Sequence, residues 1–182
     1  MKQEVEGPFE LGPLPLGRPM ETVDEQVVRA PLNTIFDLAK RVEAWPEHLS
    51  HYRFVRFRER RSDGGGIVEM SANRPFAIPI LGWQLNWRTW WLSEMAVNEN
   101  SPSIRFRHIA GITKGMDVEW TFTPTPGGVH VRILHVWNGP AIPVVGIWAA
   151  MYVIGPIFIH GIASRTLAGL ARVAESRPHQ QW

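Results

Sequence analysis

The chain has 182 residues, with 19 Lys and Arg against 17 Asp and Glu, 45% hydrophobic residues, nine Trp and no Cys. These figures exclude intrinsic disorder, leave room for one sizeable core rather than two, and rule out disulfides, a thiolate nucleophile and a cysteine-based zinc site. A formal charge of +2 over this length is too small to steer the chain onto phosphate backbones, despite a sequence pI of about 9.4, so nucleic acid is not an expected partner.

Residues 1–20 carry seven Gly or Pro and no uninterrupted apolar stretch, which predicts an extended arm rather than a signal peptide. Its apolar beads, Phe9, Leu11, Leu14 and Leu16, could pack on the domain or on a neighbouring subunit. Alternation and β-branching predict a strand over Thr22 to Arg29, and Pro31 stands where a helix would start, with Ile35, Phe36, Leu38 and Ala39 on its apolar face to about Arg41. A second short helix over Val42 to Leu49 is expected to break at Trp45-Pro46, because the residue before a proline is pushed out of the helical region.

From Tyr52 to Trp137, turn chemistry at 62–66, 98–102, 110–115 and 124–128 divides the chain into five expected strands. Met116, Val118, Trp120 and Phe122 alternate with Asp117, Glu119, Thr121 and Thr123. Ile104 and Phe106 alternate with arginines, and Val129, Val131 and Ile133 with His130 and Arg132. This pattern reads as an antiparallel sheet with one wet face. The apolar face needs a cover, and a helix from about Trp148 to Glu175 is the remaining element long enough, with Ile159, Ile162, Ala163, Thr166, Leu167, Leu170 and Ala174 on one stripe and Arg165 and Arg172 pointing away.

No Lys, Arg, Asp or Glu occurs between Arg132 and Arg165, and 141–159 is long enough to span a bilayer. Pro140, Pro143 and Pro156 with four glycines argue against a span. A lid over an apolar cavity, a dip of residues 139–160 into a membrane surface, and a core or homodimer contact stay open. The expected location is cytoplasmic, with or without membrane association.

Polar residues in phase with apolar ones mark a face where a ligand could sit. Arg74 is in phase with Val68, Met70 and Ala72, His108 with Ile104 and Phe106, and His135 with Val129, Val131 and Ile133. Thr89 and Ser93 are in phase with Leu85, Trp87, Trp91 and Met95, whereas Trp90 is out of phase and should face outward or toward the helix. Trp83, Trp87, Trp90 and Trp91 fall within nine residues, and a cavity walled by Trp would bind fused rings or long apolar chains at low entropic cost. His48 and His51 have helical metal spacing but no patterned third ligand, so neither metal nor cofactor is expected. Gly64-Gly65-Gly66 reads as a hairpin turn, and the arginines at 53, 56, 58, 60 and 61 as a solvated strand face, with an anionic membrane or carrier protein as a lesser alternative. No metalloprotease, P-loop, nucleophile-elbow or dinucleotide motif occurs.

Val28-Arg29-Ala30-Pro31, Ile35-Phe36-Asp37-Leu38 and Val42-Glu43-Ala44-Trp45-Pro46-Glu47, followed by Tyr52, resemble the opening of aromatase/cyclases in the polyketide cyclase/dehydrase branch of the START-like (SRPBCC) superfamily. The resemblance covers residues 22 to about 175. It implies an α+β helix-grip fold: a curved antiparallel sheet of about six to seven strands around a long C-terminal helix, with two short helices after the first strand. The implied organisation is an arm (1–20), one domain (21–178) and a tail (179–182). Tyr52 falls on the family's cavity tyrosine and Trp87 on a pocket tryptophan, while Trp91 occupies the position of a strand arginine and Arg74 matches a second one. The stretch 76–82 reads as an insertion.

The expected ligand is a hydrophobic small molecule, such as a quinone, lipid or polycyclic aromatic, held by Tyr52, Met70, Arg74, Trp87, Trp91, His108, Met116, Trp120, His135 and Phe158. The alternative is an aromatase/cyclase with Tyr52 as proton donor, Arg74 stabilising the enolate and His108 or His135 as base. A third reading is a membrane-surface or subunit-contact module.

Overall fold

The computed structural model describes residues 10–78, 83–139 and 160–177, with side chains except at 74–78, 83–87 and 160. The chain runs β1 (Met20–Val28), α1 (Leu32–Lys40), a 3-10 turn (Val42–Ala44), α2 (Trp45–His48), β2 (Tyr52–Arg60), β3 (Gly66–Ile78), β4 (Trp83–Asn98), β5 (Ser103–Gly111), β6 (Asp117–Thr125), β7 (Gly128–Trp137) and α3 (His160–Ser176). All seven strands form one antiparallel sheet in the order β1-β7-β6-β5-β4-β3-β2, so the first strand closes one edge against the last.

The alternating strands bury one face against α1 and α3. Val68, Met70, Met95, Ile104, Phe106, Val118, Trp120, Val131 and Ile133 meet Ile35 and Phe36 of α1 and Ala163, Leu167, Leu170 and Ala174 of α3 in one core. Arg165 and Arg172 are exposed, as the helical stripe requires. The part of the predicted helix at 148–159, and Phe158 with it, lies outside the described residues. Among those that are described, no helix is long and apolar enough to cross a membrane.

Three details depart from expectation. Pro46 does not break the second helix but sits in the first turn of α2, where its missing N–H costs no hydrogen bond; the seam falls before Trp45. Six strands lie between Tyr52 and Trp137, and residues 76–78, read from the sequence as part of an insertion, instead continue β3 and pair with β4 as far as Ile78↔Trp83. Pro75 is tolerated there because β2 stops at Tyr52↔Ala72, so the missing N–H of Pro75 falls on an unpaired edge.

The outer face, in turn, is not uniformly wet. Asp117 is only 2% exposed, bonded by Arg107 at 3.0 Å, and Leu134 and Val136 are buried too. The arm is anchored on this side: Leu11 is buried, and the carbonyls of Leu11 and Gly12 accept from Arg107 and Arg105 at 3.0 Å each. Trp90 faces outward at 42% exposure, its Nε1–H donating to Glu69 at 2.7 Å.

Candidate ligand-binding site

A cavity remains between the concave sheet face and α3. Its volume is about 90 Å³, several times the ~10–15 Å³ that one water takes on the same measure. Its wall is mostly aromatic and aliphatic: Trp91, Trp120, Phe106, Met70, Val118 and Ile133 from the sheet, Trp45 from α2, Ile162 and Ala163 from α3, and Ile112 and Met116 from the β5–β6 turn. The polar groups in it are Tyr52, Thr89, His108, Thr113, His135 and Thr166.

Seven of the residues expected to hold a ligand lie on this wall: Met70, Trp91, His108, Met116, Trp120 and His135, which the alternation predicts to face inward, and Tyr52, which the family resemblance implies. Arg74 and Trp87 are partners across the β3–β4 ladder, but their side chains, like the whole of Phe158, lie outside the described ones. Ser93 is inward and fully buried, without a hydrogen-bond partner among the described residues, and it lies behind the cavity surface. Trp45, Thr113, Ile162, Ala163 and Thr166 line the cavity without having been singled out. Thr166, a polar residue inside the apolar stripe of the last helix, was the one with a visible signal.

The rings form a continuous wall. Trp91 stacks on His108 at 6.0 Å between centroids and 16° between planes, Tyr52 lies 6.3 Å from Trp91, and Trp45 lies 5.3 Å from Tyr52 and 5.8 Å from Trp120. Such packing fixes ring planes and therefore the directions in which polar edges point.

Two polar stations interrupt this wall. At the first, Thr166 Oγ1 lies 2.8 Å from the Ile162 carbonyl, 3.1 Å from His51 Nε2 and 3.3 Å from the Tyr52 hydroxyl. A hydroxyl has a single proton, and Thr166 gives it to Ile162 in the preceding helical turn. Its lone pairs then accept from the Tyr52 O–H and the His51 Nε2–H. His51 meets Thr166, and among the described residues no group of three His, Cys, Asp or Glu could hold an ion.

At the second station, His108 Nδ1 lies 2.6 Å from Thr113 Oγ1, and His135 Nδ1 lies 3.5 Å from Thr22 Oγ1 on the neighbouring edge strand. Burial pushes the His108 imidazole down to a pKa of about 3, with repulsion from His135 adding to the shift. His108 is therefore neutral at any pH near 7. Both histidines are less than one-tenth exposed.

A seven-stranded antiparallel sheet gripping one C-terminal helix, with an aromatic cavity between them, defines a helix-grip protein of the START-like (SRPBCC) superfamily. The family profile described as polyketide cyclase/dehydrase and lipid transport matches residues 28–151, more than half of the chain, and the chain belongs to that family.

A candidate polyketide cyclase of Streptomyces halstedii is 29% identical over 113 residues, covering 61% of this chain and 94% of that protein. Among solved structures, the Zhui aromatase/cyclase from Streptomyces sp. R1128 superposes with a TM-score of 0.72 at 13% identity, over 88% of this chain and 96% of its own. A protein from Thermus thermophilus superposes with a TM-score of 0.69 at 19% identity, over 87% and 100%. At these identities the two structural likenesses establish the fold.

Proposed function

We propose that the protein is an aromatase/cyclase that holds a poly-keto chain in the cavity and directs its aldol closure and dehydration. The observation that carries this reading is the presence of one phenol and two imidazoles on the wall of an otherwise apolar, ring-lined hollow. The family and the Streptomyces relatives support the same chemistry. In aldol closure a base removes a proton from a methylene between two carbonyls. The resulting carbanion adds to a distant carbonyl carbon, the new alkoxide takes up a proton, and loss of water follows.

We assign the base to His135 and not to His108, because a group whose pKa is pushed to about 3, as that of His108 is, accepts a proton poorly near pH 7. Tyr52 is the proton donor to the alkoxide, and Arg74 keeps the enolate-stabilising role that the family likeness suggests. The test is incubation with a linear tri- or tetra-keto ester and detection of aromatic product by absorbance. Tyr52→Phe and His135→Asn should each lower turnover by about 10²-fold or more, and full turnover in the double variant would refute the assignment.

A second reading is favoured by one observation: the Tyr52 hydroxyl is already engaged by Thr166, as in a site that only binds. Here the cavity stores or carries a finished hydrophobic molecule such as a quinone or lipid. Saturable tryptophan quenching by naphthoquinone, with no product formed from the keto ester, would select it.

A further inference from the structure

We propose that His108 serves the cavity as a neutral hydrogen-bond donor through Nε2–H, and that Thr113 is the positioning residue that holds it so by donating its hydroxyl proton to Nδ1. This rests on the cavity being the place where a carbonyl-bearing ligand is held, and it adds the group that takes the carbonyl oxygen.

The direction of the bond follows from its length. The His108 Nδ1 to Thr113 Oγ1 distance is 2.6 Å. N–H donors to oxygen cluster near 2.9–3.0 Å, whereas O–H donors reach about 2.7 Å, so the short contact fits a hydroxyl donating to a ring nitrogen. Thr113 is nearly buried, and among the described residues its hydroxyl has no second partner to which its proton could go. With Nδ1 accepting, the one proton of a neutral imidazole must sit on Nε2. Burial keeps the ring neutral, and His135 is the one titratable group among the described residues that acts on it; the described cavity wall contains no carboxylate. Stacking on Trp91 fixes the ring plane and hence the direction of the N–H.

The β5–β6 turn is built to return Thr113 to this ring. Gly111 and Gly115 take φ of +96° and +85°, the His108 carbonyl accepts from Gly115 N–H at 2.8 Å, and Met116 O accepts from His108 N–H at 2.9 Å. A Cβ on Gly111 would lie 2.3 Å from the Trp90 carbonyl oxygen, so the turn seats tightly on β4. From the other side, Trp137 Nε1–H donates to Lys114 O at 2.9 Å. A donor held this rigidly bonds a carbonyl oxygen more strongly as negative charge develops on it, without transferring a proton. His108 therefore stabilises an enolate or alkoxide oxygen while the base is elsewhere.

The experiment is long-range ¹H–¹⁵N NMR of the whole chain at pH 7, with 1-tetralone, a bicyclic ketone that only accepts hydrogen bonds, as probe. The wild type and Thr113→Ser should show His108 in the Nε2–H form, and Thr113→Val should show a mixture of both tautomers. Tetralone should move the Nε2–H resonance, and Thr113→Val should weaken its binding by about twofold, because a roughly even mixture of tautomers presents the donor only half of the time. A wild-type Nδ1–H form, or an unchanged Nε2–H form in Thr113→Val, would overturn the proposal. If Thr113→Val does not fold, the wild-type and Thr113→Ser tautomers still decide the direction of the bond. Absence of tetralone binding alongside the expected tautomers would count against the ligand reading of the cavity and uphold the role of Thr113.

Discussion

The phenol of Tyr52, at the start of β2, donates to the hydroxyl of Thr166 on α3 across 3.3 Å, tying the sheet to the helix it grips at the edge of the cavity. Because Thr166 also accepts from His51, its replacement by Val should take one acceptor from the buried Tyr52 hydroxyl and one from the half-buried His51 ring. The expected cost is about 1–3 kcal/mol, or a fall in Tm of several degrees. Adding Tyr52→Phe to Thr166→Val should cost less than Tyr52→Phe alone, since the phenol has by then already lost its bond to Thr166. A thermal-melt double-mutant cycle that came out additive would contradict the bond.

His108 makes stability fall with acid. Its folded pKa is depressed to about 3 from an ordinary 6.5, so below pH 6.5 the unfolded chain binds a proton that the native ring refuses. Its contribution is complete above pH 6.5 and declines toward pH 3 by about 1.4 kcal/mol per unit. Urea titrations at pH 7, 6, 5 and 4 should show a slope that is flatter by roughly one proton in His108→Phe. An identical slope in the variant would show that the ring titrates normally.

Glu69 acts in a lower window. Its carboxylate is held down to a pKa of about 2, first by the Arg56 hydrogen bond, against the opposing effect of burial, and further by Trp90 and Arg58. This contribution is present above pH 4.5 and lost as pH falls toward 2. Both arginines are more than half exposed, so solvent and salt screening limit the effect at neutral pH. Glu69→Gln should cost about 1 kcal/mol or less, and less still in 1 M salt. A larger loss that salt did not reduce would mean that Glu69 acts through packing.

Filling the cavity should separate binding from folding. Ala163 lies on its α3 wall and is 5% exposed. In Ala163→Phe the added ring occupies space that is empty in the wild type, so Tm should stay within a few degrees. Quenching of tryptophan fluorescence by 1-tetralone should disappear. Undiminished quenching in a folded variant would place the ligand elsewhere.

What the amino-acid order determined by itself was facing. Side-chain direction in a strand is a local property with period 2, so Trp91, His108, Met116, Trp120 and His135 could be assigned to one face before any strand partner was known, and Trp90 to the other. The stripe of α3 and the proline start of α1 were legible for the same reason. The continuation of β3 through 76–78 was hidden, because a proline such as Pro75 usually ends a strand; whether it does depends on whether a neighbour is present on that edge, which is a property of the sheet. Only the tertiary structure decided that Thr166 would meet a tyrosine 114 residues earlier in the chain, that the β5–β6 turn would return Thr113 to His108, and that burial would drive that histidine neutral. Those outcomes follow from how the sheet closes and how tightly it grips the helix, and such long-range packing has no period that can be read along a chain.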